Sequence, residues 1–483
     1  VEPRKRLVSL IRFDSIPGHD FRQGGISCRV NTQSEQALRI EYNASVKEEA
    51  MSTVPDEAPT AVETHRKPPF LRRVRIRNFK SIKFCDVTLE PLTVLVGRNG
   101  SGKSNFVEAL AFLRDIMATN VSEAARRRGG WLALRYQTAR DEEMSFELEV
   151  ASQVGDRNTG QDACDPFSAT YGFTLREGPS GSPIRLHEHL QQTDGSDATL
   201  GDQSFSLAGS YDPDTYDVGY RWTGPCQPSP IPHPHPDHMW LASRGFSLSK
   251  ELRRIGCYNF SPQEIRQPQK QDVGQFLEDD GRNLANLVSR MRGGNSDVFD
   301  RVRDYLSIVV DAVEGITPVD LGGYQTIRFN CRGGKPNEPL VFAAAAMSDG
   351  TLRVLAALMA GFQSTSSGEY PSLVAIEEPE TSLHPAAMHA LVDALDEATG
   401  RTQILLTTHS TELLDNPTIQ PENVRVVEMV NGETIITPLD EASVEIVKQQ
   451  LDTLGGLERQ NQLALNDDDR ERQQKLAAGS ESK

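Results

Sequence analysis

The chain has 483 residues, with 51 lysines and arginines against 68 aspartates and glutamates, a formal net charge of -17. That balance excludes a polybasic protein drawn to nucleic acid over its whole surface, so any anionic partner must be met at a local basic site. Cys28, Cys85, Cys164, Cys226, Cys257 and Cys331 form no Cys-x-x-Cys pair, which excludes a zinc ribbon and a disulfide-stapled secreted scaffold. No apolar run approaches the ~20 residues of a membrane-spanning helix, and the basic start Val1–Arg6 leads into no apolar signal core. The expectation is a soluble cytoplasmic protein with no membrane partner.

Residues 1–69 lack a sustained period, and the Pro/Glu/Thr-rich run from Ser52 to Pro69 reads as a disordered lead-in. The first methionine is Met51, a candidate natural start that would make residues 1–50 a non-native extension. Order is expected from Leu71. In Arg73-Val74-Arg75-Ile76-Arg77 apolar residues alternate with arginines, as on a half-buried strand. Leu92–Val96 is short, unbroken and β-branched, as a strand buried on both faces would be, and Asn105–Arg114 then looks helical. Residues 151–240 are rich in Gly, Asp, Ser and Pro and are expected to be a loop-rich insertion. Residues 258–335 read as a helical middle section, with helices over Asn283–Met291 and Val298–Val313. Strands at Leu373–Ile376 and Gln403–Thr407 alternate with helical runs, which predicts a parallel α/β core within residues 70–440. Residues 441–483 are expected to hold one helix, Glu441–Leu454, and a disordered polar tail from Glu458.

Gly97-Arg98-Asn99-Gly100-Ser101-Gly102-Lys103-Ser104 matches GxxxxGK[ST] and sits between a strand pattern and a helix pattern. Gly97, Gly100 and Gly102 permit a tight loop, with Asn99 at its tip, whose N–H groups converge on phosphate oxygens at a helix N-terminus. Lys103 would reach the β- and γ-phosphates of ATP and Ser104 would ligate Mg2+. Leu373–Ile376 ends in Glu377 and Glu378, which places both carboxylates where ligands bind in open α/β sheets. Glu377 suits the Mg2+ shell and Glu378 the polarisation of attacking water. Ser348-Asp349-Gly350, upstream of that strand, reads either as a helix N-cap or as a second phosphate contact. His409, downstream of Glu378, ends a buried strand and could touch a γ-phosphate.

The order of these four elements resembles the ABC-type ATPase superfamily, and specifically its RecF/SMC-like branch, often labelled AAA in the broad sense. Arg75–Ile82 is similar to that branch's opening strand, Tyr258–Pro262 and Gly281–Ala285 to its middle section, and Glu378–Pro385 to its Walker B and D-loop. The resemblance implies an α/β P-loop NTPase fold, an ABC-type ATPase head with a mixed or parallel sheet and an inserted subdomain. It implies a homodimer formed on ATP binding: Lys103, Ser104 and Glu377 of one copy hold ATP and Mg2+, while Ser348 and Gly350 of the other meet the γ-phosphate. His409 would be the switch histidine and Glu378 the catalytic carboxylate. Glu377 stands where the wider superfamily has aspartate.

Gln137, in the stretch after the phosphate loop and its helix, reads more readily as a surface glutamine than as a contact to Mg2+. The prolines interleaved with His233, His235 and His238 favour an extended loop over a metal site. Nine basic against four acidic residues over Leu71–Asp115 offer a local face for nucleic acid, or the charges of a solvated strand edge. The interval from Lys103 to Ser348 is too long for an ordinary transporter ATPase, and no heptad run suggests a coiled-coil arm. The short stretch from His409 to Lys483 holds no acidic cluster of the kind a fused metal-dependent nuclease of the overcoming-lysogenization type needs. DNA and a separately encoded nuclease or effector are therefore the expected partners, in repair or anti-phage defence. The other reading is a nucleotide-sensing scaffold of a defence or toxin–antitoxin complex with negligible hydrolysis.

Overall fold

Three sheets organise the computed structural model, which describes residues 70–478 except 138–142, 153–166, 179–180, 182, 194–203, 212–217, 223–247, 272–273, 295 and 334–339. The expectations for residues 1–69, Met51 included, and for His233, His235 and His238 lie outside the described residues, as do Cys28, Cys164 and Cys226. The account concerns the unit Glu63–Lys483.

The first sheet is an antiparallel meander of seven strands. Its members are β1 (Leu71–Phe79), β2 (Ile82–Thr88), β4 (Met144–Ser152), β5 (Phe167–Glu177), β6 (Pro183–Thr193), β7 (Ser204–Tyr211) and β8 (Val218–Trp222), in the order β2-β1-β4-β5-β6-β7-β8. The second has six strands in the order β17-β16-β3-β15-β14-β9. Here β3 (Leu92–Val96), β9 (Ile255–Tyr258), β14 (Leu373–Glu377), β15 (Gln403–Thr408) and β16 (Val424–Val430) run parallel, and β17 (Glu433–Pro438) folds back antiparallel. The third holds β10 (Gln269–Lys270), β11 (Val313–Asp320), β12 (Tyr324–Cys331) and β13 (Leu340–Ala343).

The helices used below are α1 (Lys103–Ala118), α2 (Leu284–Gly294), α3 (Ser296–Val309), α4 (Asp349–Phe362), α5 (Pro385–Ala398), α6 (Glu441–Lys448), α7 (Leu454–Arg459) and α8 (Asp467–Ala478).

The parallel strands are apolar at nearly every position because both of their faces are covered. Side chains alternate across a strand. Val94, Val96, Val374, Ile376, Ile404 and Leu406 accordingly enter one core, with α2 to α5. Leu95, Leu373, Ala375 and Leu405 enter the other, with α1 and the meander. The sequence expectation of a parallel α/β core matches this sheet.

Three expectations are corrected. The segment 151–240 carries β5 to β8 where loops were expected. Ala169, Tyr171, Phe173 and Leu175 alternate into the core, a period-two signal masked by the surrounding Gly, Ser and Asp. The middle section is only partly helical: α3 stops at Val309, and Val313–Cys331 forms the hairpin β11-β12. The chain beyond Glu458 is structured as far as Ala478. Leu463 and Leu465 are buried, and Gln473 of α8 donates to the Ile436 carbonyl oxygen at 2.9 Å. A helix polar nearly all round reads as tail in the sequence because its anchors are hydrogen bonds, such as Arg77 to the Leu476 carbonyl at 3.0 Å.

Of the two readings of the basic stretch Leu71–Asp115, paired strand charges fit the structure better. Arg73 makes a two-pronged contact with Asp86 at 2.5 and 2.6 Å, Arg75 pairs with Glu147, Lys80 with Glu108, and Arg114 with Asp279 at 2.6 Å. Asp86 and Glu108 belong to the same stretch, and Glu147 and Asp279 reach it from outside and offset part of its surplus. Among the described residues no helix is long and apolar enough to cross a membrane. Cys85, Cys257 and Cys331 are free and buried, and burial pushes the Cys257 thiol up to about 12.

One side chain ties the meander to the parallel sheet. Buried Gln403, at the start of β15, accepts from the Leu71 N–H at 3.0 Å and donates to the carbonyls of Leu71 at 2.9 Å and Glu90 at 3.1 Å. Gln403→Leu keeps the volume and strips all three bonds from a buried seam. The expected loss is about 2–3 kcal/mol, read as a lower urea midpoint; an unchanged midpoint would show that packing alone holds the seam.

Candidate functional site

β3 ends at Val96 and α1 begins at Lys103, so Gly97–Gly102 must turn the chain within one strand-to-helix step. The turn is possible because glycine lets it lie against the β16-β17 hairpin. A Cβ on Gly97 would stand 2.1 Å from the Val427 carbonyl oxygen. Gly102 has φ 108°, and a Cβ there would stand 1.9 Å from Thr434 Oγ1. Thr434 donates to the Ser101 carbonyl at 3.1 Å and shares a 2.6 Å hydrogen bond with Ser81, whose hydroxyl accepts from Asn105 at 2.6 Å. The hairpin thus braces the loop from outside, leaving Asn99 and Gly100 exposed at its tip.

No side chain caps α1. Among the described residues the N–H groups of Gly102, Lys103 and Ser104 find no acceptor in the protein. Unpaired donors at the positive end of a 16-residue helix are what a bound anion satisfies. Buried Lys103 turns its ammonium onto the carbonyls of Gly97 at 2.5 Å and Arg98 at 3.0 Å. Burial pushes that ammonium below the ordinary lysine value, against the pull of Glu378, Glu380, Glu458 and Glu377.

The carboxylate strand arrives alongside. Ser104 donates to Glu377 Oε2 at 2.5 Å, joining two segments far apart in the sequence. Burial holds the Glu377 carboxyl above the usual range, with the Ser104 hydrogen bond opposing it. Glu378 adopts φ 44°, a left-handed conformation rare for a residue with a side chain, and its N–H donates to the Thr407 carbonyl at 3.0 Å. His409 Nδ1 lies 3.6 Å from Glu378 Oε1 and 3.8 Å from Glu380 Oε1. Gly97, Gly102, Lys103, Ser104, Glu377, Glu378 and His409 therefore converge on one edge of the parallel sheet.

Ser348 and Gly350 are placed differently. The Ser348 hydroxyl caps α4, accepting from the Thr351 N–H at 3.2 Å. Gly350 packs on the turn after β14, where a Cβ would stand 2.4 Å from the Ser382 carbonyl oxygen. Among the described residues neither makes a hydrogen bond to the phosphate loop of its own chain. The cap reading of Ser348 fits this geometry, and the residue is exposed.

Sequence reasoning missed two residues, Glu380 and Thr434. Gln137 lies in an exposed turn next to Tyr136, which bonds to Asn78 and Glu433. Glu380 is buried against Thr408 and His409. Thr434 braces the loop from a hairpin near the far end of the chain, and no motif announces it. Among the described residues no group of three or more His, Cys, Asp or Glu could hold a metal by itself. An ion held by Ser104 and Glu377 would have to share phosphate oxygens, as Mg2+ commonly does.

Comparison with known proteins gives a consistent picture. Residues 70–160 match the family described as "AAA ATPase domain", and residues 227–415 match "AAA domain, putative AbiEii toxin, Type IV TA system". The Old nuclease of Escherichia phage P2 is 22% identical over 359 residues, which are 71% of this chain and 57% of that protein. The DNA replication and repair protein RecF of Arthrobacter sp. (strain FB24) is 42% identical over 57 residues, 12% of this chain and 14% of that protein. The chain thus spans little more than half of the one relative and a seventh of the other. The solved Smc head bound to the C-winged helix domain of ScpA aligns with 78% of this chain and 99% of its own, at 15% identity and a TM-score of 0.48.

The close approach of Gly102 to Thr434 gives a direct test. Gly102→Ala should weaken binding of a fluorescent ATP analogue by at least about tenfold, because a methyl group has no room and the backbone is strained there. Anisotropy titration reads the effect, with circular dichroism confirming the fold. Wild-type affinity in the variant would mean that the loop does not pack as described.

Proposed function

We propose that the chain, which carries an ABC-type ATPase domain of the RecF/SMC-like class, binds ATP with Mg2+ at Gly97–Ser104 and hydrolyses it between two copies of itself. The Ser104–Glu377 hydrogen bond carries the reading, because it joins the phosphate loop to the carboxylate strand at a single point. The residues fit the ligand: three unpaired N–H groups, a buried lysine and a hydroxyl–carboxylate pair surround the start of α1. Lys103 would exchange its two loop carbonyls for phosphate oxygens. Ser104 and Glu377 would hold Mg2+, which when bound neutralises phosphate charge and polarises the terminal phosphoryl group.

Glu378 would orient an attacking water and take its proton. Its conformation at φ 44° is fixed by hydrogen bonds to Thr407, so the carboxyl is aimed by backbone rather than by side-chain packing. His409 stands within 3.6 Å of it and would offer its ring to the γ-phosphate. Ser348 and Gly350, exposed or packed away from the loop of their own chain, would complete the site from the second copy. ATP then acts as the adhesive between heads, and nucleotide binding and dimerisation are thermodynamically linked.

The names RecF and Old nuclease bring DNA to the reading. The closing and opening of the two heads would gate engagement of DNA in repair or anti-phage defence, with a separately encoded nuclease or effector as partner and the cytoplasm as the setting. The family description that mentions a type IV toxin–antitoxin system favours a second reading, a nucleotide-sensing scaffold with negligible turnover. Steady-state ATP hydrolysis, with and without DNA, separates the two.

Glu378→Gln should trap an ATP-bound dimer, and Lys103→Ala should abolish it. Size-exclusion chromatography with light scattering reads the outcome: the mass of Glu378→Gln doubles on adding ATP and Mg2+, and that of Lys103→Ala stays at one copy. An unchanged mass for Glu378→Gln would count against the two-head site.

A further inference from the structure

We propose that Glu380 is a positioning residue that fixes His409 relative to Glu378. The inference deepens the ATPase reading, on which its consequence for turnover rests. Glu380 is only 6% exposed, yet it carries a carboxyl group. One oxygen is fully used: Oε1 accepts from the Thr408 hydroxyl at 2.6 Å and from the His409 N–H at 3.3 Å. The other, Oε2, is buried and has no hydrogen-bond partner. Burial pushes the carboxyl above its ordinary range. A half-satisfied buried carboxyl is a poor way to fill space, since an apolar side chain of the same size would avoid the desolvation cost. Its retention in the fold calls for a use, and the geometry supplies one.

The His409 ring is nearly half exposed, so packing does not hold it. What holds it is the end of β15, where Glu380 Oε1 takes both the Thr408 hydroxyl and the His409 backbone N–H. Glu380 belongs at the same time to the turn that carries Glu378. The Thr381 N–H donates to the Glu378 carbonyl at 3.1 Å, and the Leu383 N–H to the Glu380 carbonyl at 2.9 Å. One carboxyl thus clamps the strand end bearing His409 to the turn bearing Glu378. The same turn places the Ser382 carbonyl against Gly350, so the clamp also registers the turn on which Gly350 rests.

The test has two readouts on the full chain. Backbone amide exchange across Thr408–Ser410, without nucleotide, should be faster by about tenfold or more in Glu380→Ala, while exchange in Gly97–Ser104 stays as in wild type. Glu380→Gln, whose amide oxygen still accepts both bonds, should restore slow exchange. In turnover, Glu380→Ala should lower kcat by about ten- to a hundredfold with the KM for ATP within about threefold, and His409→Ala should add little in that background because both act through one group. Unchanged exchange in Glu380→Ala, or kcat losses that multiply in the double variant, would overturn the proposal. A wild-type chain with no turnover would remove the ATPase reading, and the exchange comparison would still decide whether Glu380 holds His409. If Glu380→Ala does not fold, Thr408→Val, which removes the hydroxyl donor to Glu380 and with it the acceptor of the Ser410 N–H, is read for the same acceleration at the His409 amide alone.

Discussion

The structure depends on the register of its parallel sheet. Ile376 pairs with both Tyr258 and Leu406, Glu377 with Thr407, and Thr407 with Leu95, so β9, β14, β15 and β3 reach their carboxyl ends at the same level. That level cannot drift. Each of the two core layers takes alternate side chains of the same strands, and a slip of one residue would exchange the layers and strand Glu377 inside a core. Double burial, a structural property on its face, is therefore what aligns Ser104, Glu377, Glu378 and His409 at one edge.

Electrostatics then dictates what such an edge can bind. Around the single ammonium of Lys103 stand Glu377, Glu378, Glu380 and Glu458, a surplus of negative charge before any phosphate arrives. A bare polyphosphate would meet repulsion from these groups. The unpaired N–H groups at the start of α1 offset part of it, and a divalent cation between Ser104 and the carboxylate strand offsets most of the remainder. The proposed site would on these grounds favour a metal-bound nucleotide over a free one, even on a chain of net charge -17. Of the arginines over Leu71–Asp115, Arg75 and Arg114 are spent on Glu147 and Asp279, whereas Arg98 lies on the phosphate loop, bonded to Asn461 at 2.7 Å.

Legibility followed locality. The phosphate loop, the two carboxylates and the buried strands were readable because each is a short contiguous pattern whose physics is local: glycines for a turn, an unbroken apolar run for double burial. The meander strands β5 to β8 were not, because their sequences are diluted by residues that also make loops, and only pairing with the preceding strand of the meander selects each one. Helix α8 was unreadable for a different reason, since hydrogen bonds through Gln473 and Arg77 leave no apolar stripe to see. Glu380 and Thr434 were hidden because their meaning lies in which distant segment they face. Glu380 stands within the very run, Glu378–Pro385, that resembled a family motif, and still only the distance to Thr408 gives it a part.

The turn 378–383 joins the two halves of the proposed composite site. It begins with Glu378 at φ 44° and reaches Ser382 at φ 70°, two left-handed residues with side chains, a costly conformation that the surrounding contacts must maintain. At its start the turn is held to Thr407 and His409, at its end to Gly350 and so to the first turn of α4 that Ser348 caps. In the proposed dimer, a stiff link of this kind would keep the carboxylate facing a chain's own phosphate loop and the serine offered to its neighbour from moving independently. Movement at one nucleotide would then be passed to the other through a few backbone contacts, so the proposed two-copy site carries with it the expectation of cooperativity.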